Sequence, residues 1–306
     1  MTTNLHQKHH LRLALIVIAT TLFFIANIQR VAIPGAIFDL LQGDFRVDAS
    51  KITLLGALFC YVYALTQLVV GLMVDKFGGF RVIALGGLIF GLGSIIFPHS
   101  ESLFGLYFSR ILLGFGAATF YLSSIREVKK YAKDNNFSLA VSYILFIGYS
   151  GGIVANAPFV ACANQIGWRN SLYLLGFFTL FLAIVYLIIF IIFKPVHIEK
   201  TTPFSLLPFK EVLSIKDNLY LYLFGATNYG IYYVLQTVIG KKFLEDFCSF
   251  GVNKAALILS LMAIISSFAG TITAFISKSI NNKRAIIFRT FGILSMLKYA
   301  SFWLSN

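Results

Sequence analysis

An all-helical protein that crosses a membrane many times is the fold class this sequence predicts, on three observations. Of 306 residues, 58% are apolar, only 12% are charged, and 32 are phenylalanine. A water-soluble domain of this length needs a charged surface that so few charges cannot supply. Apolar runs of about 20 residues, each enough for one helix to cross the hydrocarbon core, recur along the chain. The net charge of +13 lies mostly in short segments between those runs. That placement is a topology signal and excludes nucleic-acid binding.

Taken in order, the runs place about nine spans, at 14–40, 52–74, 82–98, 103–125, 138–162, 171–193, 219–240, 255–277 and 286–304. The first carries one charge, Arg30, between Leu13 and Phe38. It is too long for a signal-peptide core and lacks a small-residue cleavage site, so it is expected to stay as a span. The second ends at Asp75 and Lys76, and the third lies between Arg81 and His99. The fourth contains Arg110 and stops at Arg126; the fifth and sixth are separated by Gly167, Trp168 and Arg169. The stretch 194–218 holds Pro195, Pro203, Pro208 and several charges. It reads as a cytoplasmic linker between a six-helix bundle (1–193) and a partial bundle of about three helices (219–306). Lys241 and Lys242 close the seventh span, and Lys298 falls within the ninth.

The basic residues set the direction. Arg126, Lys129, Lys130 and Lys133 share a side with Lys76, Arg81, Lys283 and Arg284. Fewer, among them Arg46, Lys51, Arg169 and Lys241, share the other. The positive-inside rule therefore predicts a cytoplasmic N-terminus. Cys60, Cys162 and Cys248 are far apart, lack metal-ligand spacing and read as buried thiols. No metal and no cofactor is expected. Nor is an enzyme, because no nucleophile–base pair or phosphate-cradling loop stands out.

Three motifs carry more than hydropathy. "GLMVDKFGGFR" supplies Gly71, Asp75, Gly78 and Arg81 between spans two and three. Gly71 suits a close helix approach and Gly78 a tight turn, while Asp75 and Arg81 can pair across it or meet neighbouring helix ends. "LYFSRILLGFGAA" places Arg110 before a small-residue run in span four, and "GWR" (Gly167–Arg169) follows span five. In this order the three resemble the major facilitator superfamily, with the first 193 residues carrying the likeness. The resemblance implies a polytopic inner-membrane secondary transporter working by alternating access, active or facilitative. It assigns Gly71, Asp75, Gly78 and Arg81 to a cytoplasmic gate.

Departures qualify the resemblance. Span five reads "GYSGGIVANAPF" and lacks the drug–proton antiporter signature, while "SKSINNKRA" keeps only the charge of the loop motif in the second half. Members generally have twelve spans, so the chain is C-terminally short, and a truncated, non-transporting fragment is the alternative.

Charges inside spans are costly and mark function. Thr20, Asn27, Arg30 and Pro34 share one helical face. Snorkelling of Arg30 toward the end marked by Asp39 is the other reading of that arginine. The stretch also resembles the organophosphate:phosphate antiporters and anion:cation symporters, in which a first-span arginine binds the anionic group; Arg30 matches it. Guanidinium presents a rigid fork of donors to a carboxylate or phosphate. Phosphate-binding members add an arginine in span seven, which "LYLYLFGATNYGIYYVLQTVIG" lacks. A small organic anion or zwitterion with one carboxylate is therefore the expected substrate. Asn27, Tyr149, Asn156 and Tyr233 are the expected partners of Arg30; Arg110 either joins them or braces span four. No Asp or Glu lies mid-span, so a counter-substrate is at least as compatible a partner as a proton. The lipid bilayer is the remaining partner.

Overall fold

The computed structural model describes residues 2–131, 134–193, 211, 213–237 and 239–279. All the described elements are helical. Helix α1 (Thr2–Val31) widens into a π-helical turn at Ala32–Ala36 and is followed by α2 (Phe38–Phe45). Pro34 sits inside that turn; its missing N–H and its ring break the regular ladder. Then come α3 (Ala49–Phe77), α4 (Gly79–His99) and α5 (Leu103–Tyr131). Helices α6 (Asp134–Val154) and α7 (Ala157–Ile166) form one span bent by 45°. Helix α8 is Trp168–Phe193, α9 Lys216–Thr237, α10 Ile239–Lys242; a π-helical turn at Phe243–Phe247 precedes α11 (Val252–Ser279).

Five described helices are long and apolar enough to cross a membrane, and the α6–α7 pair makes a sixth. They correspond to the first six expected spans. Helices α9 and α11 lie where the seventh and eighth were expected. The ninth span (286–304) with Lys298, and the linker as far as residue 210, lie outside the described residues. The expected count of about nine is thus met only as far as these eight positions. Two corrections follow. The first span ends at Ala36, not residue 40, because Pro34 unwinds it; the fifth is not one straight helix, because Pro158 removes a ladder donor beside Asn156.

Packing separates an inner face from a lipid face. Phe59, Phe90, Phe97, Phe120 and Tyr186 are fully buried between helices. On α8, Leu174, Phe177, Phe181, Ile184, Ile188 and Ile192 form an exposed apolar stripe at helical period. Such a stripe is an aggregation liability in water and a solvent-matched surface in lipid. Helices α4 and α5 approach through small residues: a methyl on Gly116 would lie 2.6 Å from the Gly86 carbonyl oxygen.

Candidate functional site

Helix α1 carries Arg30 into the interior, where α6 and α9 meet it. The Arg30 Nη1 donates to the Tyr229 hydroxyl at 2.9 Å. Its guanidinium carbon lies 5.4 Å from the Tyr233 ring centroid and 5.9 Å from that of Tyr149, both within cation–π reach. The Tyr63 phenol lies in electrostatic range as well. Arg30 Nε is buried without a hydrogen-bond partner. Among the described residues, no carboxylate pairs with Arg30. Among the described residues the cation is surrounded by aromatic rings and a phenol oxygen, with no neutralising charge.

The other sequence-chosen residues divide. Asn27 faces α6, where a methyl on Gly151 would come within 3.1 Å of its Cβ. Its amide nitrogen donates to the Phe23 carbonyl at 2.9 Å, and its Oδ1 is buried without a partner. Asn156 occupies the break between α6 and α7 and donates to the Gly152 carbonyl at 2.7 Å. The Tyr233 hydroxyl is buried beside the Cys60 thiol without a hydrogen bond of good geometry. Arg110 is fully buried, within electrostatic range of Tyr233: its Nε donates to the Leu55 carbonyl at 2.9 Å and its Nη1 to that of Gln29 at 3.2 Å, while its Nη2 is buried without a hydrogen-bond partner. Its guanidinium sits 4.6 Å from the Phe59 ring centroid. These contacts tie α5 to α1 and α3.

At the Asp75 end of the bundle, Asp75 takes the second of its two expected arrangements and meets the end of a neighbouring helix. Gly78 adopts φ +85°, which L side chains rarely do, and turns α3 directly into α4. Asp75 pairs with Arg126 at 2.7 Å, not with Arg81, which is exposed and takes no ion pair among the described residues. Glu127 caps α4 instead: Gly79 N donates to its Oε1 at 2.6 Å, and Lys130 to the same oxygen at 2.7 Å. A buried carboxylate at a helix N-terminus meets the positive end of the dipole. Gly71 is also not a point of forced approach, since a methyl there would meet only the flexible Leu122 side chain at 3.8 Å.

At the opposite, Asp39 end, Trp168 Nε1 donates to Asp44 at 2.8 Å. Arg169 Nη1 donates to the Pro98 and Ser100 carbonyls at 2.8 and 3.0 Å, capping α4. The end of the first span abuts the end of α9: a methyl on Gly35 would lie 2.7 Å from the Thr237 carbonyl oxygen. Asp39 takes Lys242 at 2.6 Å and Lys241 at 3.6 Å, and Lys241 also lies 3.6 Å from Glu245. Lys241 is buried, although its sequence position reads as a loop charge. The hydrogen bond that Lys242 donates to the Asp39 carboxylate raises the lysine's pKa.

Ser260 of α11 is the least anticipated contact. Ala157 N donates to its Oγ at 3.1 Å, and that hydroxyl donates to the Ile153 carbonyl at 3.3 Å. The Ser260 side chain therefore satisfies the Ala157 N–H freed by the α6–α7 break and adds a second donor at the Ile153 carbonyl, which also accepts from Asn156 N. Sequence reasoning missed Glu127, Lys241 and Ser260 as contacts, whereas helical spacing puts Tyr229 on one face of span seven with Tyr233 and Gln236. Among the described residues, no group of His, Cys, Asp and Glu could hold a metal ion.

Comparison with known proteins follows the same lines. The family profile described as Major Facilitator Superfamily matches residues 17–304. The probable sulfoacetate transporter SauU of Cupriavidus necator is 26% identical over 169 residues, 55% of this chain and 39% of that protein. A chloroplastic ascorbate transporter of Arabidopsis thaliana is 24% identical over 173 residues, 56% of this chain and 32% of that protein. The chain thus spans well under half the length of either relative in the matched part. A crystal structure of a bacterial homologue of the human lysosomal transporter Spinster, inward-facing and unoccupied, superposes with a TM-score of 0.65 at 18% identity. It covers 89% of this chain and 63% of that one.

Proposed function

The chain belongs to the major facilitator superfamily, and from that premise we propose that it moves a small organic anion or zwitterion by alternating access, binding it at Arg30. A multi-pass membrane transporter, as distinct from an enzyme, is the common ground of the family match and the relatives. The observation that carries the finer reading is the uncompensated guanidinium. Arg30 lies inside a membrane-spanning helix with a phenol for a hydrogen-bond partner and, among the described residues, no carboxylate. A cation held in an apolar bundle without a counter-ion attracts an anion that brings one. Tyr149 and Tyr233 face the same cation; Asn27, one turn before it on α1, and Asn156, at the α6–α7 break, are the further contacts this reading assigns to the ligand.

Within this reading the Asp75 end faces the cytoplasm of an inner-membrane protein, as its basic residues suggest. Gly71, Asp75, Gly78 and Arg81, joined by Arg126 and Glu127, belong to the gate on that side. Residues 1–193 form the first bundle and 219–306 part of the second, with 194–218 linking them. The contacts of Asp39 with Lys241 and Lys242 close the outer side between the first and seventh spans. Arg110 braces the first bundle and meets no substrate. A proton or a counter-substrate remains the coupling partner. The non-transporting fragment gains no support over this reading.

The test is uptake into proteoliposomes. Wild-type protein is expected to accumulate a labelled organic anion, and Arg30→Ala to lose that uptake while still inserting and folding. Equal uptake by Arg30→Ala removes the anion-binding role of Arg30.

A further inference from the structure

Span seven holds no lysine or arginine between residues 219 and 240. The position facing Arg30 from α9 is occupied by Tyr229, whose hydroxyl oxygen accepts from Arg30 Nη1 at 2.9 Å. We infer that Tyr229 is a substrate-contacting residue, the neutral second-half anchor, and that it sets the site for singly charged anions. This rests on the reading of Arg30 as the anion anchor.

The chemistry follows from donors and acceptors. A phenol has one proton and two lone pairs. With one lone pair taken by Arg30, the O–H proton remains to be given. Among the described residues, Tyr229 is the one hydrogen-bond partner of Arg30, and Arg30 Nε has none. Tyr229 is 44% exposed, so the residue is not sealed into the packing. An oxyanion docking at the guanidinium accepts from Arg30 and from the Tyr229 O–H together. The two donors come from α1 and α9, residues 199 apart in sequence, so the bound anion bridges the two halves.

Charge then decides selectivity. Among the described residues, Lys241 is committed to Asp39 and Glu245, and Arg110 spends Nε and Nη1 on the Leu55 and Gln29 carbonyls. Arg30 is the cation that Tyr229 contacts and the one this site offers the ligand directly. One positive charge and one neutral donor match a monoanion; a dianion leaves a second negative charge in an apolar bundle, which is costly.

The experiment measures binding to detergent-purified full chain by calorimetry, with ascorbate as the monoanionic probe and sulfoacetate as the dianionic one. Wild type is expected to prefer ascorbate. Tyr229→Phe should weaken it by about tenfold or more, the usual effect of losing one hydrogen bond to a charged group. Tyr229→Gln, which keeps a donor, should retain most of the binding and guards against a folding defect in the phenylalanine variant. Tyr229→Arg should reverse the preference toward sulfoacetate. Loss of binding in Arg30→Ala with unchanged affinity in Tyr229→Phe, or an unreversed preference in Tyr229→Arg, overturns the role of Tyr229 and leaves the Arg30 reading standing. Undiminished binding in Arg30→Ala, or binding of neither probe to wild type, overturns the Arg30 reading and this inference with it.

Discussion

Arg110 and Arg30 both sit inside apolar helices of this protein, and their surroundings differ in kind. Arg110 is fully buried and spends Nε and Nη1 on the main-chain carbonyls of Leu55 and Gln29, against the ring of Phe59, with Nη2 unpartnered. Its partners belong to α1 and α3, within the first 193 residues, so they hold one bundle together. Arg30 meets a phenol from α9, two aromatic faces and an idle Nε. Its hydrogen-bond partner comes from beyond residue 193. The difference teaches that an intramembrane arginine is read by what satisfies it. Fixed carbonyls make a brace, whereas exchangeable phenols leave room for a ligand.

The comparison can be broken most severely at Arg110. Arg110→Ala abandons two buried carbonyls and should destabilise the first bundle by about 3 kcal/mol or more, read as a large fall in Tm or loss of folded protein. A variant that folds normally and loses only transport would place Arg110 with Arg30. Next in size is Ser260→Ala, which strips the α6–α7 break of its one side-chain partner for Ala157 N–H and Ile153 C=O. A cost of about 1–3 kcal/mol is expected, together with faster hydrogen exchange at Ala157. Unchanged exchange there would mean that the break is satisfied without α11.

The smallest effect belongs to the Asp39 end. Lys242→Met removes the 2.6 Å contact with Asp39, but both groups are partly exposed, so solvent screening limits the loss to about 1 kcal/mol or less. Its signature is pH dependence. A lysine with a raised folded-state pKa contributes fully below its unfolded value and loses that contribution as pH rises through the folded one. The gap in stability between wild type and Lys242→Met should therefore close at strongly alkaline pH. A gap that persists there would assign the effect to something other than the ion pair.

Much of the fold was legible because apolar length and small loop charges leave few alternatives. The first six spans fall within a few residues of where hydropathy places them. Hydropathy is blind to local backbone breaks, so it missed the π-helical turn and the α6–α7 bend, although Pro34 and Pro158 were there to be read. At the site, helical spacing put Asn27 and Arg30 together on the face that meets α6. Spacing within one helix could not choose Tyr229 from the tyrosines of span seven, because its partner lies 199 residues away. The same holds for Glu127, whose capping of Gly79 depends on how α4 and α5 pack. Lys241 read as a loop charge, since nothing in its own segment reveals that Ala36 and Asp39 close over it.

The central claim is that Arg30 binds an anion while Arg110 holds the bundle. The most direct measurement is the thermal unfolding of purified wild type and Arg30→Ala with and without saturating ascorbate, since a ligand that binds the folded state raises its apparent stability. The result expected is a ligand-dependent rise in Tm for wild type, none for Arg30→Ala, and similar ligand-free Tm values for both. A full ligand-dependent rise in Arg30→Ala would contradict the claim.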